Sequence, residues 1–597
     1  MVALLVASLL IFPLAVGHLV YRAFAPQQEE GTLGEVLFTQ VMAGFLLCGW
    51  PALILAEFGL LSLPLLAGLL LLGCAVVAAV RWRHIRSWRW PRPRPDRRGF
   101  LTVALFLGVA ALMLRPGERI LGANDPGVYL ATAASIARTG GIVLYDPAIA
   151  SMPPQARTSL FSHFIDQWWQ LPGFYITDLD TGQVTPQFFH LYPTWLALFY
   201  AAGGLSFTLA AFPLFTLLGL GAFFFLARRL LGEWAGPVAM VLLALNPAQV
   251  WFSRDPAAEP FAMALLLGGW YLFDRAMRQP DRRELAVLAG LSLGQIALAK
   301  LELLILPMAL AGYFLVRSTG GRIRSNERSF LLTYTLMLAH GAAHAALISR
   351  PYLQNFLTSL EMSRFIPGPI LAGLATAAIA AAVVLFALRK RLAPLLNRLG
   401  GQRQRLRDGI SFSWWFLVLY GAVVRPLLAR KWVQVQGEWV FNYERVTFLR
   451  LAWYLSPLGL LLAALGLAWW LRRRLEAPSV PFVVTLLAEL TIYIHRTMDL
   501  PLHFWMIRRY VPLIFPCLTL GIAASLLWLR RVPLSRPVRR GGSMALLGLL
   551  IFQAVQADVP LSSRRELAGT VATLEKVASK VPDGAPLFVE QFGPAFA

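Results

Sequence analysis

Apolar runs of about twenty residues, each closed by a short polar or basic turn, recur along the whole chain. The first four lie near 3–21, 35–57, 60–80 and 100–114. Twelve more follow, near 206–230, 235–251, 260–276, 285–300, 302–317, 329–349, 370–388, 410–426, 450–471, 479–495, 505–530 and 542–558. As a helix, a run of that length spans the hydrocarbon core of a bilayer. The pattern predicts an all-α polytopic membrane protein of about sixteen helices. One interval breaks the rhythm: residues 115–189 are largely polar and form a long loop. Inside it, Val128, Ala131, Ala134, Ser135 and Arg138 recur at helical spacing, and Gly140-Gly141 stops the run. That spacing predicts a short amphipathic helix lying on the membrane surface.

Composition agrees with this frame. The 597 residues are 57% hydrophobic and 14% charged, with a mean hydropathy of +0.61, far more apolar than a soluble chain of this size requires. A net charge of +23 would suit nucleic acid, but the arginines gather in the turns between apolar runs. That is the positive-inside pattern of cytoplasmic loops, so no nucleic-acid partner is expected. The densest cluster, RWRHIRSWRWPRPRPDRR at 81–98, sets the register. With it inside, the loop at 115–189 lies outside, and the basic turns at 228–229, 275–283, 317–328, 389–407, 472–474 and 530–540 all fall on the cytoplasmic side. Cys48, Cys74 and Cys517 sit in apolar runs without metal-binding spacing.

Charged residues that this register places on the outer side are candidates for chemistry. Asp125 follows the fourth span directly. The turn WFSRDPAAEPF brings Arg254, Asp255 and Glu259-Pro260 to the same side; acids and a proline in a first helical turn also suit the helix dipole without any function. HLYP supplies His190, Tyr192 and Pro193. Arg508, Arg509 and Tyr510 lie at the outer end of a late span, against the positive-inside bias, as do Arg445 and Arg450. Cations placed there point to a phosphate partner, with snorkelling to lipid headgroups as the plain alternative. Lys300 and Glu302 form a further outer-side pair.

The stretch GANDPGVYLATAASIARTGGIVLYDP, with its acid just past a span and its surface helix, resembles the first external loop of the GT-C glycosyltransferases. Arg254 followed by Glu259-Pro260 resembles a second motif of the protein mannosyltransferase and aminoarabinose-transferase branches, and Arg509-Tyr510-Val511-Pro512, one residue shorter than the pattern Arg-Tyr-x-x-Pro, resembles a late helix of these enzymes. The family often carries Asp-Glu where this chain has Asp125-Pro126. The resemblance implies an inverting membrane transferase that takes a sugar from a polyprenyl-phosphate donor on the outer side of the cytoplasmic membrane. It implies Asp125 and Glu259 as catalytic residues, open also to a divalent cation. Donor and acceptor contacts would come from Tyr129, His190, Tyr192, Arg254, Arg445, Arg450, Arg508, Arg509 and Tyr510; the acceptor (lipid, glycan or protein) is not legible.

The expected organisation is three extra N-terminal helices and a basic loop (1–99), a GT-C-like catalytic core (100–558), and the opening of an external soluble domain (559–597). In that last part, 566–580 reads as an amphipathic helix and 585–591 as a strand. A multi-pass transporter or lipid flippase is the competing class; such chains often repeat one half in the other, and no such repeat is visible here.

Overall fold

The computed structural model describes residues 2–29, 31–91, 97–120, 125–163, 168–300, 305–319, 321–362, 391, 394, 403–435, 437–495 and 506–582. The span expected at 370–388, the strand at 585–591 and Glu302 lie outside the described residues. Among those described, eight helices are long and apolar enough to cross a membrane, and the chain is an all-α, multi-pass membrane protein.

Four helices lead in: α1 (Val2–Phe24), α2 (Leu33–Glu57), α3 (Leu63–Ser87) and α4 (Arg97–Met113). Helix α2 starts on a capping box. Thr32 Oγ1 accepts from the Glu35 N–H, and the Glu35 carboxylate accepts from the Thr32 N–H at 2.9 Å, which satisfies two donors that a helix start otherwise leaves unpaired. The loop that follows holds α5 (Asp125–Thr139), β1 (Leu144–Tyr145), α6 (Pro147–Ala150), α7 (Pro154–Leu160), β2 (Ser162–His163), β3 (Trp169–Leu171), β4 (Phe174–Asp178) and β5 (Gln183–Pro186). Its strands pair antiparallel in the order β1-β5-β4-β3-β2, over a small core of Ile149, Phe161, Ile176 and Val184. The surface-helix pattern thus gains a five-stranded sheet that hydrophobic periodicity did not predict.

Helix α5 lies where the pattern put it, with Gly140 ending it at φ +77°. Its buried face differs: Tyr129, Leu130, Ala133 and Ile136 point inward, while Ala131 and Arg138 are exposed. The helix docks on α8 (Leu191–Thr208) through Tyr129 and Tyr192, whose rings are 5.1 Å apart. The β3–β4 turn presses on it from the other side. Gly173 there has φ +80°, and a Cβ would come 2.2 Å from Val128 Cγ2, so conformation and space both require glycine.

The remaining chain builds the bundle. It comprises α9 (Ala211–Leu231), α10 (Ala235–Ala244), α11 (Pro247–Phe252), α12 (Ala258–Arg278), α13 (Arg283–Gln295), α14 (Ile305–Thr319), α15 (Ser325–Leu347) and α16 (Arg350–Met362). Then α17 (Arg403–Leu419) runs through a π-turn into α18 (Arg425–Leu428), and a hairpin of β6 (Trp432–Val435) and β7 (Glu438–Phe441) follows. The last helices are α19 (Thr447–Arg450), α20 (Ala452–Arg474), α21 (Val480–His495), α22 (Ile514–Leu529), α23 (Arg536–Ser562) and α24 (Thr570–Ala578).

Helix α12 is the central element. Every residue from Ala258 to Met277 is buried, as expected for a helix that is apolar on all sides. Two adjacent glycines let its neighbours close in: a Cβ on Gly268 would meet Met42 of α2 at 2.4 Å, and one on Gly269 would meet Leu293 of α13 at 2.5 Å. Helices α1 and α2 therefore share one core with the helices that follow the loop. With 21 residues, α12 is about 31 Å long, and its two ends carry different charge. At its C-terminal end, Glu29 accepts hydrogen bonds from Tyr21 (2.8 Å) and Arg282 (2.9 Å), with Arg275 at 3.5 Å, while Asp274 pairs with Arg229 and Arg278 at 2.9 Å each. At its N-terminal end lie the acids considered next.

Candidate active site

The turn between α11 and α12 places two carboxylates. Asn246 caps α11, accepting from the Ala248 N–H at 3.0 Å, and the chain then turns through Ser253–Ala257 before α12 begins with Glu259 in its first turn. Backbone N–H groups at a helix start favour an acid there, but Glu259 is only 2% exposed, and a buried charge needs a partner. Lys300, just beyond α13, supplies it: Nζ meets Glu259 Oε1 at 2.5 Å. Arg508, in a short 3-10 turn before α22, reaches the same carboxylate at 3.7 Å through Nε and bonds Asp125 Oδ2 through Nη1.

Four charged residues from four separate parts of the chain thus meet at one end of the bundle. Asp255 joins them from the same turn. It is 7% exposed, pairs with Arg119 at 3.7 Å, and burial pushes its carboxyl up to about 7, with Arg119 opposing and Glu259 adding to the rise. Three carboxylates therefore face three cations: Asp125, Glu259 and Asp255 against Arg508, Lys300 and Arg119.

Tyr129 lies one helical turn past Asp125, its ring 5.0 Å from Phe188 and 5.1 Å from Tyr192. Burial raises its hydroxyl well above the ordinary tyrosine value, and the nearby Asp125 and Glu259 carboxylates raise it further. Tyr192 is fully buried and its hydroxyl has no hydrogen-bond partner among the described residues. Arg509 and Tyr510 are buried beside Arg508, with Tyr510 packed on Tyr493 and Phe515.

The other sequence candidates stand apart from this cluster. His190 is buried in a separate network: its Nδ1 lies 2.9 Å from His344 Nε2, His344 Nδ1 lies 2.6 Å from Glu57, and His340 Nε2 lies 3.0 Å from the same carboxylate. Trp50 Nε1 donates to His340 Nδ1 at 2.9 Å. Burial, and then the neighbouring His344, hold His190 well below the ordinary histidine value. The network joins α2, α15 and the start of α8. Arg254 donates to the carbonyls of Leu561 (2.8 Å) and Leu112, clamping the end of α23 to the end of α4. With Arg115, Asp255 and Arg564 it lines a narrow cleft of about 20 Å³. Arg445 bonds the Pro426 carbonyl at the base of the hairpin, and Arg450 lies between the rings of Tyr443 and Trp453.

Spacing alone did not single out Asp255 or Arg119 as members of the cluster. Asp255 reads as an extra helix-start acid, and Arg119 as one more residue of a polar loop. Both become visible once the two segments are adjacent. Among the described residues no group of three or more His, Cys, Asp or Glu side chains is arranged to hold a metal ion; Asp125 and Glu259 meet Arg508 and Lys300 instead.

Residues 185–346 match a family model described as dolichyl-phosphate-mannose-protein mannosyltransferase. The match bears out the resemblance read from the sequence, and it includes Asp255, Glu259 and Lys300 but neither Asp125 nor Arg508. The fold is similar to that of the Archaeoglobus fulgidus oligosaccharyltransferase, at 15% identity and a TM-score of 0.44 over 80% of this chain; the chain spans 56% of that protein's length. It is also similar to ArnT from Cupriavidus metallidurans, at 16% identity and a TM-score of 0.27, covering 71% of this chain and 77% of that one. No curated protein matches the chain.

Proposed function

We propose that this chain is an inverting membrane glycosyltransferase, moving a sugar from a polyprenyl-phosphate donor to an acceptor on the outer side of the cytoplasmic membrane. The observation that carries the reading is the cluster in which Arg508 bridges Asp125 and Glu259 while Lys300 holds Glu259 from the other side. A donor phosphate offers these cations the same chemistry as the carboxylates do. On binding, it would take Arg508 and Lys300 and leave Asp125 without its partner.

Asp125 would then accept the proton of the acceptor hydroxyl as its oxygen attacks the anomeric carbon. Such help is worth roughly 10²–10⁴ in rate. The bond from the anomeric carbon to the phosphate oxygen breaks on the opposite face, and Arg508 stabilises the charge gathering on the leaving phosphate. Glu259 keeps Lys300 and Arg508 in place for that step. Purified protein, incubated with a panel of polyprenyl-phosphate sugars and membrane extract as acceptor source, should consume at least one donor and release bare polyprenyl phosphate. Release from none of them would remove the proposal.

A further inference from the structure

A second concave surface shares no lining residue with the carboxylate cluster. It is a groove of about 280 Å³ between α10, α20, α22 and α23. Leu242, Leu245, Ile522, Leu550 and Ala554 form its apolar wall, beside the polar Ser456, Gln553 and Gln556. Two features keep it open. Helix α20 breaks in its first turns at Ser456, which holds φ +61° ahead of Pro457, a conformation that costs a non-glycine residue about 1–3 kcal/mol. Helix α23 is only 11% buried over its apolar window, so it stands off the bundle instead of closing on it.

The rim of the groove is cationic and aromatic. Trp453 lines it, and Arg450 lies over the Trp453 ring at 4.2 Å and over Tyr443 at 4.1 Å. No carboxylate among the described residues forms an ion pair with Arg450. Inside, the side-chain carbonyl oxygen of Gln553 is buried with no hydrogen-bond partner among the described residues. From Ala557 down to Leu550 the groove follows α23 for about 10 Å, within the thickness of one bilayer leaflet.

We propose that this groove holds one anionic bilayer phospholipid, its phosphate on Arg450 and the upper part of an acyl chain against Leu550, Ala554 and Ile522. Charge complementarity selects the head, since a cation held between two rings and lacking a carboxylate partner matches an anionic phosphate. The exposed faces of α23 select the source, because bulk lipid reaches the groove directly. No ion pair among the described residues links Arg450 to Asp125, Glu259 or Arg508.

Native mass spectrometry of the full-length protein, titrated with phosphatidylglycerol in mild detergent, tests this. The wild-type protein should retain one lipid more tightly than any that follow. Ala554→Trp fills the groove and Arg450→Gln removes the head contact; each should weaken that first lipid about ten-fold or more, and the double variant should lose little beyond the stronger single one. Leu549→Trp, on the exposed face of the same helix, should leave the first lipid in place, with thermal unfolding checking that all variants fold. Wild-type binding in both groove variants would overturn the proposal. Equal loss in Leu549→Trp would overturn it too, since the lipid would then be merely annular, and so would displacement of phosphatidylglycerol by equimolar bare polyprenyl phosphate.

Discussion

Arg508 is held by two carboxylates at once, while its neighbour Arg509 is buried beside Tyr510. Adjacent positions of a 3-10 turn point about 120° apart, so the two arginines should respond differently to substitution. Arg508→Ala should weaken donor binding about ten-fold or more, matching the loss of a charge-assisted bond worth roughly 1.5–3 kcal/mol. Arg509→Ala should change donor binding little. Lysine at 508 should restore it only in part, having the charge without the fork. Binding of bare polyprenyl phosphate in detergent reads all three; equal, small effects would reduce Arg508 to an anchor.

Asp255 carries a separate, pH-dependent signature. Its carboxyl is raised from 3.8 to about 7, so within that window the folded protein keeps a proton that the unfolded chain has released. Stability therefore falls as pH rises from about 4 to about 7 and levels off on either side. Asp255→Asn cannot ionise and should lose less stability across that range. Thermal unfolding at pH 4.5 and pH 8 should show a smaller drop for the variant than for the wild type; identical drops would mean that Asp255 does not titrate in this window.

At the scale of elements, what could be read from the sequence follows from length. A twenty-residue apolar run stands out against any background: α2, α12 and α20 lie within three residues of their expected bounds, α9 starts five residues late, and α3 runs seven residues past its expected end. The strands of the external sheet have two to five residues, too few for alternation to register, and the β6–β7 hairpin falls to the same limit. Helix α5 was legible as a helix but not in its buried face, because its small residues satisfy more than one stripe. The sheet matters because its β3–β4 turn holds α5, and with it Asp125, against α8. Gly173→Val should therefore displace Val128, lowering both thermal stability and turnover, while Gly182→Ala, at the neighbouring turn of the same sheet, should affect stability more than turnover. Unchanged turnover in Gly173→Val would separate the sheet from the placement of Asp125.

At the scale of the molecule, the candidate site was legible residue by residue but not as a constellation. Asp125, Glu259 and Arg508 each stand out in the sequence as charges beside apolar runs, whereas their meeting with Lys300, Asp255 and Arg119 depends on how four distant segments pack. The orientation of that packing in the membrane is tested by single cysteines at exposed positions. Ser151→Cys and Ser563→Cys should react with an impermeant thiol reagent from outside in intact cells, and Ser87→Cys should not; labelling of Ser87→Cys alone would invert the protein and its site. The central claim, that this cluster performs sugar transfer with Asp125 as the base, is tested most directly by Asp125→Asn, with donor binding and turnover measured on the same purified sample. The account predicts turnover lower by roughly 10²–10⁴ with donor binding retained, since asparagine keeps the size and removes the base. Near-normal turnover in Asp125→Asn would contradict it.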